Sequence, residues 1–223
     1  MKLKVIGSTS KGNCYILTNN TEALIIECGM SFQTVKVALG FNIMQIVGVI
    51  CSHGHQDHFN YRYIPKVKKA GIDIWKSWKD KPTVKKFGGF TVQSFSVPHD
   101  VECRGFLIKH NSFGKLLFVT DASYCPYVFK DLDYIMVEAN HDKNVIDVYS
   151  LGRHEHKSIQ THMDISTTVG LLKANDNPNL KGVVLLHLSK THADPENFKQ
   201  QAESVVDCPV YIAKRGLEVR LDG

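Results

Sequence analysis

The chain has 223 residues, of which 43% are hydrophobic and 22% charged, and a formal net charge of +5. This composition is typical of a globular protein with a sizeable core, and the length fits one domain over residues 1–223. No apolar run approaches the ~20 residues of a membrane-spanning helix, and the N-terminus lacks the apolar centre of a signal peptide. The six cysteines are scattered without a CxxC pair, as is typical of reduced thiols. We therefore expect a cytoplasmic protein with no membrane partner.

Short apolar runs separated by turn residues predict strands in the first part of the chain, and two longer stretches have helical character. The predicted strands are 3–6, 15–17, 23–26, 47–50, 72–75 and 90–97, and the predicted helices are 31–39 and 61–70. The run VGVI at 47–50 is continuously apolar, which is typical of a strand buried inside a sheet.

The second part of the chain shows the same mixture. Two apolar runs within 104–120 flank the turn formers Asn111, Ser112 and Gly114 and predict a hairpin. Further strands are predicted at 134–137 and 183–188, helices at 166–173 and 195–205, and a closing hairpin at 209–213 and 217–221. Because strands and helices mix along the whole length, we expect an α/β fold with sheets packed face to face and helices outside.

Residues 50–59, ICSHGHQDHF, place four metal-capable side chains directly after a predicted buried strand. Imidazole nitrogens and carboxylate oxygens suit zinc, manganese and iron. His53 and His55 alternate by two and point the same way from an extended segment, whereas Asp57 and His58 follow after the backbone begins to turn. The spacing HxHxDH therefore predicts a loop that serves two neighbouring metal ions, in preference to a histidine-rich surface loop.

A two-metal site needs further ligands, and three suitable side chains follow predicted strands. They are His99 in SVPHD, Asp121 in LLFVTD and His187 in VVLLHLS. Each residue alone is typical of a polar side chain that caps a strand, but together they complement the HxHxDH loop. Asp121 is the natural bridging group, because a carboxylate can bind two ions through its two oxygens.

Two further motifs offer acid–base side chains. Glu138 and His141 follow a predicted buried strand in VEANHD, and His162 lies in THMD. A Glu–His pair can orient and protonate a leaving oxygen, which is the work of a general acid. On spacing alone, two unrelated surface polar groups remain the alternative.

With these motifs, the sequence resembles the metallo-β-lactamase superfamily over nearly its whole length. The HxHxDH signature is highly specific, and His99, Asp121 and His187 follow it in the superfamily's order. The resemblance implies a metallo-β-lactamase-like αββα sandwich, in which two mixed sheets carry outer helices and the metals lie at one edge of the sheets.

The resemblance also implies roles for the predicted site residues and two divalent ions as cofactors, zinc or alternatively manganese. One ion would be bound by His53, His55 and His99, the other by Asp57, His58 and His187, with Asp121 bridging them; Glu138 and His162 match the acid dyad of ribonuclease Z-like enzymes, Asp57 would help hold the attacking water and His141 would assist the acid. One departure is Glu27 in IIECGMS, where the superfamily usually has aspartate. This position lies behind the ligands, so the metals should still bind.

Flanking motifs narrow the resemblance to enzymes that cleave phosphodiesters. GSTSKGNCY and EANHD are similar to motifs of the WalJ (YycJ) nuclease-like proteins, and THMD is similar to a histidine motif of the ribonuclease Z branch. The short chain and compact connections resemble the phage anti-Pycsar phosphodiesterases. This resemblance implies a homodimeric phosphodiesterase of cyclic mononucleotides (the cCMP, cUMP, cAMP and cGMP class), with a phage counter-defence role in the host cytoplasm.

Two alternatives stay open. The first is a WalJ-like DNA exonuclease or an RNA-processing nuclease, although the flexible arm with which ribonuclease Z enzymes grip tRNA is not evident. Segment 62–86 favours it, because nine basic and two acidic residues form either an anion-attracting patch or a solvated face. The second is a non-catalytic metal-binding nucleotide sensor, against which the full ligand set argues. Lys190 is a candidate phosphate contact, and Trp78 or Tyr124 could stack on a base or have a core or surface role.

Overall fold

The computed structural model describes residues 1–81, 83–146, 152, 156 and 159–222. Within this part of the chain, thirteen strands form two sheets. The first sheet contains β1 (Lys2–Thr9), β2 (Gly12–Thr18), β3 (Ala23–Ile26), β4 (Ile46–Cys51), β5 (Ile74–Lys76) and β13 (Glu218–Arg220), in the order β13-β1-β2-β3-β4-β5. The second contains β6 (Val84–Phe87), β7 (Phe90–Val97), β8 (Cys103–His110), β9 (Gly114–Val119), β10 (Tyr134–Glu138), β11 (Gly182–Leu186) and β12 (Val210–Ile212), in the order β12-β11-β10-β9-β8-β7-β6.

Four α-helices are described, and their caps follow from the sequence. They are α1 (Phe32–Ala38), α2 (Ile64–Lys69), α3 (Ile165–Asn175) and α4 (Pro195–Glu203), with a short 3-10 helix at Ile43–Gln45. The side chains of Ser31, Asp164 and Asp194 accept backbone N–H groups at the starts of α1, α3 and α4. Such caps satisfy donors that have no partner inside the helix. None of the described helices is long and apolar enough to cross a membrane.

Three apolar clusters show how the layers stack. The largest joins the facing sides of the two sheets, a second lies between the second sheet and α3 and α4, and a third lies between the first sheet and α1 and α2. In β2, Tyr15 and Leu17 enter the first cluster, whereas Cys14 and Ile16 enter the third. Because successive side chains of a strand point to opposite faces, β2 is buried on both sides. The predicted α/β class and the αββα arrangement are confirmed.

The parallel strands determine where the candidate site residues lie. β3, β4 and β5 are parallel in the first sheet, and β9, β10, β11 and β12 are parallel in the second. Parallel neighbours end at the same edge of a sheet, where ligands of open α/β sheets bind. Glu27, Asp121 and His187 lie just beyond β3, β9 and β11, with φ angles of 66°, 48° and 53°. These left-handed conformations are uncommon for non-glycine residues and mark sharp turns at this edge.

One strand prediction needs correction, and one strand was not predicted. The closing segments do not form a hairpin, because β12 pairs with β11 in the second sheet and β13 pairs with β1 in the first. The turn between them carries the chain from one sheet to the other, where Gly216 N–H donates to Val5 O. Strand β6, which pairs with β7, was not predicted. Its sequence, VKKF, has few apolar residues because the strand lies at the edge of its sheet and is partly exposed.

Candidate metal centre

The HxHxDH loop is held between two neighbouring segments. Inside it, His58 N–H and Phe59 N–H both donate to His55 O, at 3.0 and 2.7 Å. Asn13 N–H donates to Asp57 O at 2.7 Å, and Cys28 N–H donates to His58 O at 2.7 Å. The loop therefore has backbone partners on both sides, which fixes its side chains.

Gly29 permits this close approach. A Cβ atom at this position would collide with the backbone oxygen of Asp57. Only glycine lacks that atom, so the segment after β3 can lie directly against the HxHxDH loop.

Three histidines form the first candidate metal site, here called the three-histidine group: His53, His55 and His99. One ring nitrogen from each lies within 4.8 Å of the others. The Nε2 atom of His99 is 3.3 Å from Nδ1 of His55, and the rings of His53 and His99 are 5.0 Å apart. The structure brings together the three residues that the sequence predicts for one ion.

The second candidate site, here called the buried group, consists of Asp57, His58, Asp121 and His187. Its ligand atoms also lie within 4.8 Å of one another. His58 Nε2 is 3.1 Å from Asp121 Oδ1 and 3.3 Å from Asp57 Oδ2, while His187 Nε2 is 3.7 Å from Asp57 Oδ2. These are the residues predicted for the other ion, together with the predicted bridge.

Asp121 faces both groups with different oxygens. Its Oδ2 atom is 3.9 Å from His53 Nε2, and its Oδ1 atom is 3.1 Å from His58 Nε2. The hydroxyl of Thr120 donates to Oδ1 at 2.7 Å. The carboxylate is 2% exposed, so its orientation is set by these neighbours and not by solvent. This is the arrangement that a bridging ligand requires.

The donor atoms themselves test whether metal ions fit. His53 Nε2 and His187 Nε2 are buried and have no hydrogen-bond partner among the described residues. Buried polar atoms in proteins are nearly always paired, so two unpaired imidazole nitrogens beside carboxylates are suited to binding a metal ion. Imidazole nitrogens with carboxylate oxygens form a donor set that suits Zn²⁺ and Mn²⁺. The residues present therefore fit divalent metal ions.

The pKa shifts in the buried group show that its carboxylates and imidazoles interact strongly. Burial alone would raise the pKa of Asp121, but the facing imidazoles of His187 and His58 hold it well below its usual range. Burial alone would lower the pKa of His187, yet Asp121, Asp57 and Glu138 raise it to about 10. The pKa of His58 is raised in the same way by Asp121 and Glu27, against the effect of burial. The carboxylates thus stay ionised, and positive charge must balance them.

Glu138 and His162 meet at this edge, as the sequence predicts. His162 Nδ1 lies 2.6 Å from Glu138 Oε1, and His187 Nδ1 lies 2.9 Å from the same oxygen. The other oxygen of Glu138 accepts the N–H groups of Met163 and Ala122. Glu138 is fully buried, and although burial would raise its pKa, the contact with His162 lowers it to about 2. One carboxylate thus orients both a candidate ligand and a candidate acid.

His141 does not join these groups. It is 2% exposed, and its backbone pairs with Asp164 at the start of α3. Within the described residues, no candidate metal group includes it, and its Nδ1 atom has no hydrogen-bond partner. The neighbouring Asn140 enters the site instead, because its side-chain amide donates to His187 O at 2.8 Å. A role for His141 in assisting the acid stays a prediction.

Glu27 and Ser52 lie behind the histidines. Glu27 Oε2 is 3.4 Å from His58 Nδ1, and Glu27 Oε1 accepts the N–H of Ser52 at 3.1 Å. The hydroxyl of Ser52 is 2.9 Å from His53 Nδ1. Glu27 therefore contacts a ligand rather than a metal position, as expected for glutamate in place of aspartate. Such partners fix the ring orientation and tautomer of ligating histidines.

Sequence reasoning also missed Asn13 and Asp100. The Asn13 side-chain amide lies 2.8 Å from His58 Nε2 and 3.2 Å from Asp57 Oδ2. Asp100 Oδ1 is 3.0 Å from His99 Nε2 and 3.5 Å from His55 Nε2. Both lie inside quoted motifs, GSTSKGNCY and SVPHD, but their partners are distant in sequence and no spacing rule identifies them.

Comparisons with known proteins agree with this geometry. Residues 8–60 match the family model of the metallo-beta-lactamase superfamily. The metallo-beta-lactamase fold protein YhfI from Bacillus subtilis superposes with a TM-score of 0.74 at 19% identity, covering 98% of each chain. The chain has the metallo-β-lactamase fold. Human tRNase Z, short form, superposes over 100% of both chains with a TM-score of 0.66 at 14% identity.

Curated relatives match part of this metallo-β-lactamase-fold chain. Exodeoxyribonuclease YycJ of Bacillus anthracis is 25% identical over 181 residues, which cover 69% of this chain and 67% of the relative. Exodeoxyribonuclease WalJ of Streptococcus pneumoniae is 21% identical over 174 residues, covering 65% and 64%. The chain thus spans about two thirds of the length of the curated relatives it matches.

A cavity of about 370 Å³ opens above the buried group. Asp57, Asp121 and His187 form part of its wall with His55, Asn140 and His162, and two short stretches, 9–10 and 188–191, form the remainder, with Leu188 as their one apolar residue. Lys190, a predicted phosphate contact, lies in the second stretch. Of the two aromatic residues considered for stacking, Tyr124 is 52% exposed, whereas Trp78 is 8% exposed and packs on Phe59. Neither is among the residues that line this cavity.

Proposed function

We propose that this chain is a metal-dependent phosphodiesterase. The observation that carries the proposal is the 2.6 Å contact between His162 and Glu138 beside the two candidate metal groups. Phosphodiester cleavage releases an alkoxide, which needs a proton from a positioned acid. A histidine oriented by a buried carboxylate, at the wall of a cavity shared with Asp121 and His187, supplies that acid.

In this proposal, some residues of the chain orient the attacking water and others transfer a proton to the leaving group. Divalent ions at such a site supply positive charge to phosphoryl oxygens and lower the pKa of water. Asp57, 22% exposed at its side chain, reaches the cavity and is placed to accept a hydrogen bond from the attacking water. His162 donates its proton to the leaving oxygen, and Glu138 keeps the imidazole in the required orientation.

The end of a nucleic acid is the substrate class that the observations favour. The curated relatives that match two thirds of the chain are exodeoxyribonucleases. The basic segment 62–86 directly follows the HxHxDH loop and suits a polyanion. Here the proposal departs from the ranking implied by the resemblance of the short chain to the anti-Pycsar enzymes, in which cyclic mononucleotides come first.

Cyclic mononucleotides remain the second candidate, because the cavity of about 370 Å³ lies in the range of pockets that enclose one small ligand. Under this candidate, the protein would act as a homodimer whose second subunit covers the open side of the cavity. Its predicted role as a phage counter-defence enzyme in the host cytoplasm belongs to this candidate as well. A non-catalytic nucleotide sensor is disfavoured by the complete set of ligand side chains.

One experiment separates these functions. The purified protein, with its zinc and manganese content measured, is incubated with linear single- and double-stranded DNA, precursor tRNA and the four cyclic mononucleotides. We expect release of nucleotides from DNA ends, abolished by a chelator and restored by metal. Cleavage of cyclic mononucleotides without DNA cleavage would establish the second candidate. Bound metal with no cleavage of any substrate would refute the phosphodiesterase and leave the sensor.

A further inference from the structure

A second, smaller cavity lies beside the HxHxDH loop and outside the metal centre. It has a volume of about 260 Å³ and is here called the lysine-rimmed cleft. Its apolar part is formed by Phe59, Tyr61, Ile64, Ile74 and Trp78, and its rim by Lys68, Lys76 and Lys79. An apolar cleft surrounded by one sign of charge differs from an ordinary solvated face.

The aromatic residues of the cleft form a rigid platform with one exposed ring. Phe59 is 4% exposed and meets both neighbours edge to face, with ring centroids 5.1 Å from Tyr61 and 5.3 Å from Trp78. The core thus fixes Phe59 and Trp78. Tyr61 stands on this base and is 63% exposed. An exposed aromatic ring that the core holds in place offers a stacking surface at little entropic cost.

The rim carries positive charge that the protein does not neutralise. Lys68 and Lys79 are exposed and have no ion-pair partner among the described residues. Lys76 is 4.0 Å from Asp80, a long contact between half-exposed groups that screening weakens. The rim is therefore complementary to phosphate groups.

The cleft adjoins the metal centre through the backbone. Phe59 directly follows the candidate ligand His58. On the other side of the loop, a Cβ at Gly54 would lie 3.6 Å from the Trp78 ring, and Gly54 lies between His53 and His55. The cleft therefore lies next to the loop that carries four of the candidate ligands.

We propose that the lysine-rimmed cleft binds single-stranded nucleic acid, with a base stacked on Tyr61 and neighbouring phosphates against Lys68 and Lys79. The proposal rests on the proposed function, since it assigns the nucleotides that flank the cleaved phosphodiester. Aromatic platforms combined with lysines are how proteins hold single strands without reading their sequence. A cyclic mononucleotide has no flanking nucleotide and gains nothing from the cleft, so the cleft also separates the two substrate classes.

The test measures binding of a fluorescein-labelled phosphorothioate single-stranded DNA, which resists cleavage, to the metal-loaded full chain. Tyr61→Ala is expected to raise Kd about tenfold, because stacking of one base contributes at this level. Tyr61→Phe keeps the ring and should bind like the wild type. Phe41→Ala is the matched control, since Phe41 is similarly exposed, at 64%, and follows the C-terminal end of α1, outside the residues that line the cleft.

The salt dependence tests the rim. The double variant Lys68→Ala/Lys79→Ala should lower the slope of log Kd against log salt by about 1.4, because each phosphate contact on a single strand contributes about 0.7. The exposed pair Lys173→Ala/Lys214→Ala, which removes the same charge elsewhere, should leave the slope within error. Equal losses in both double variants would mean that net charge alone is responsible, and the proposal would be wrong.

A second substrate keeps this proposal separable from the proposed function. Bis(p-nitrophenyl) phosphate is too small to reach the cleft, so all cleft variants should hydrolyse it at the wild-type rate. If the wild type does not hydrolyse it or DNA, the phosphodiesterase is refuted. If the wild type hydrolyses both and Tyr61→Ala binds DNA unchanged, only the nucleic-acid cleft is refuted, and an apolar side chain of a protein partner becomes its remaining occupant.

Discussion

The three-histidine group and the buried group lie at the same sheet edge but are built differently. The first contains imidazoles only, and the side chain of His55 is 37% exposed. The second contains Asp57 and Asp121 with two imidazoles that are no more than 5% exposed. Glu27 and Glu138 stand directly behind these imidazoles. One group consists only of imidazoles and is partly open, and the other combines two carboxylates with buried imidazoles.

This difference indicates that the two groups bind their ions with different affinities. A carboxylate-rich, buried group attracts a divalent cation strongly, because charges interact more strongly away from water. The three-histidine group contains no carboxylate, and the carboxylates beside it are Asp121, 3.9 Å from His53, and Asp100, 3.0 Å from His99. We therefore expect the buried group to bind its ion first and more tightly, and the three-histidine group to lose its ion first.

The largest effect is expected from Asp121→Asn, which removes the charge that both groups share. Changes to residues behind the ligands typically cost 10–100-fold in metal affinity, so removing this ligand should cost more than about 100-fold at both sites. Activity on DNA should fall below detection. Metal content by elemental analysis and titration with Zn²⁺ measure the loss.

Asp131→Asn is the matched control for Asp121. Asp131 is exposed and has a φ of 56°, close to the 48° of Asp121, and asparagine tolerates this conformation. The control should bind two ions like the wild type. If Asp121→Asn also keeps two ions, Asp121 does not bridge the groups.

The second effect concerns chemistry rather than metal binding. His162→Ala should lower kcat on DNA by about 10²–10⁴-fold, because a poor leaving group depends on the general acid. The same variant should keep near-normal rates on bis(p-nitrophenyl) phosphate, since p-nitrophenolate leaves without a proton. The ratio of the two rates is the measurement. Equal losses on both substrates would show that His162 acts on the metals or the fold instead.

The third effect distinguishes the metal affinity of the buried group from that of the three-histidine group, by changing residues that contact their ligands. Asn13→Ala removes an amide that contacts both His58 and Asp57, whereas Ser52→Ala removes a hydroxyl next to His53. We expect Asn13→Ala to weaken the tighter Zn²⁺ site and Ser52→Ala the weaker one, each by about 10–100-fold. Calorimetric titration resolves the two sites. Loss at the same site in both variants would contradict the division into two groups.

The candidate ligands that the sequence predicts are of two kinds: some are adjacent in sequence, and others lie at the ends of separate strands. The HxHxDH ligands are adjacent in sequence, so spacing alone identifies them. His99, Asp121 and His187 are distant in sequence, but each follows a strand, and strand ends meet at one edge. Apolar periodicity locates the strands, and the topology of the sheets then brings the residues after their ends to one edge.

The features that the sequence does not predict depend on contacts that form only in the folded chain. Asn13 and Asp100 gain their roles from neighbours that only the folded chain provides. Strands β12 and β13 look like a hairpin because a local pattern cannot say with which sheet a strand pairs. In VEANHD, the residue types do not show that Asn140 faces the cavity. Side-chain direction at a strand end depends on the turn that follows, which the residue types do not specify.

The smallest effect concerns the pH dependence of the metal-free protein. The pKa of His187 is about 10 in the folded chain and near its ordinary value of 6.5 when unfolded, because burial is outweighed by Asp121, Asp57 and Glu138. A raised pKa contributes stability that is complete below about pH 6.5 and is lost as pH rises toward 10. Between these values the free energy of unfolding should fall by at most about 1.4 kcal/mol per pH unit for this residue. Urea denaturation of chelator-treated protein at about pH 6.5 and pH 8.5 measures the change.

The metal-loaded protein is the control, because an ion at the buried group takes over the charge balance that the proton on His187 otherwise provides. Its stability should change little over the same pH interval, and its apparent Zn²⁺ affinity should rise with pH as fewer protons compete. The difference between the two forms reflects the histidines with a raised pKa, which are His58, His162 and His187, because the pKa values of His53 and His99 are lowered, chiefly by burial. Metal-free protein that becomes more stable above pH 6.5 would contradict the charge balance assigned to His187.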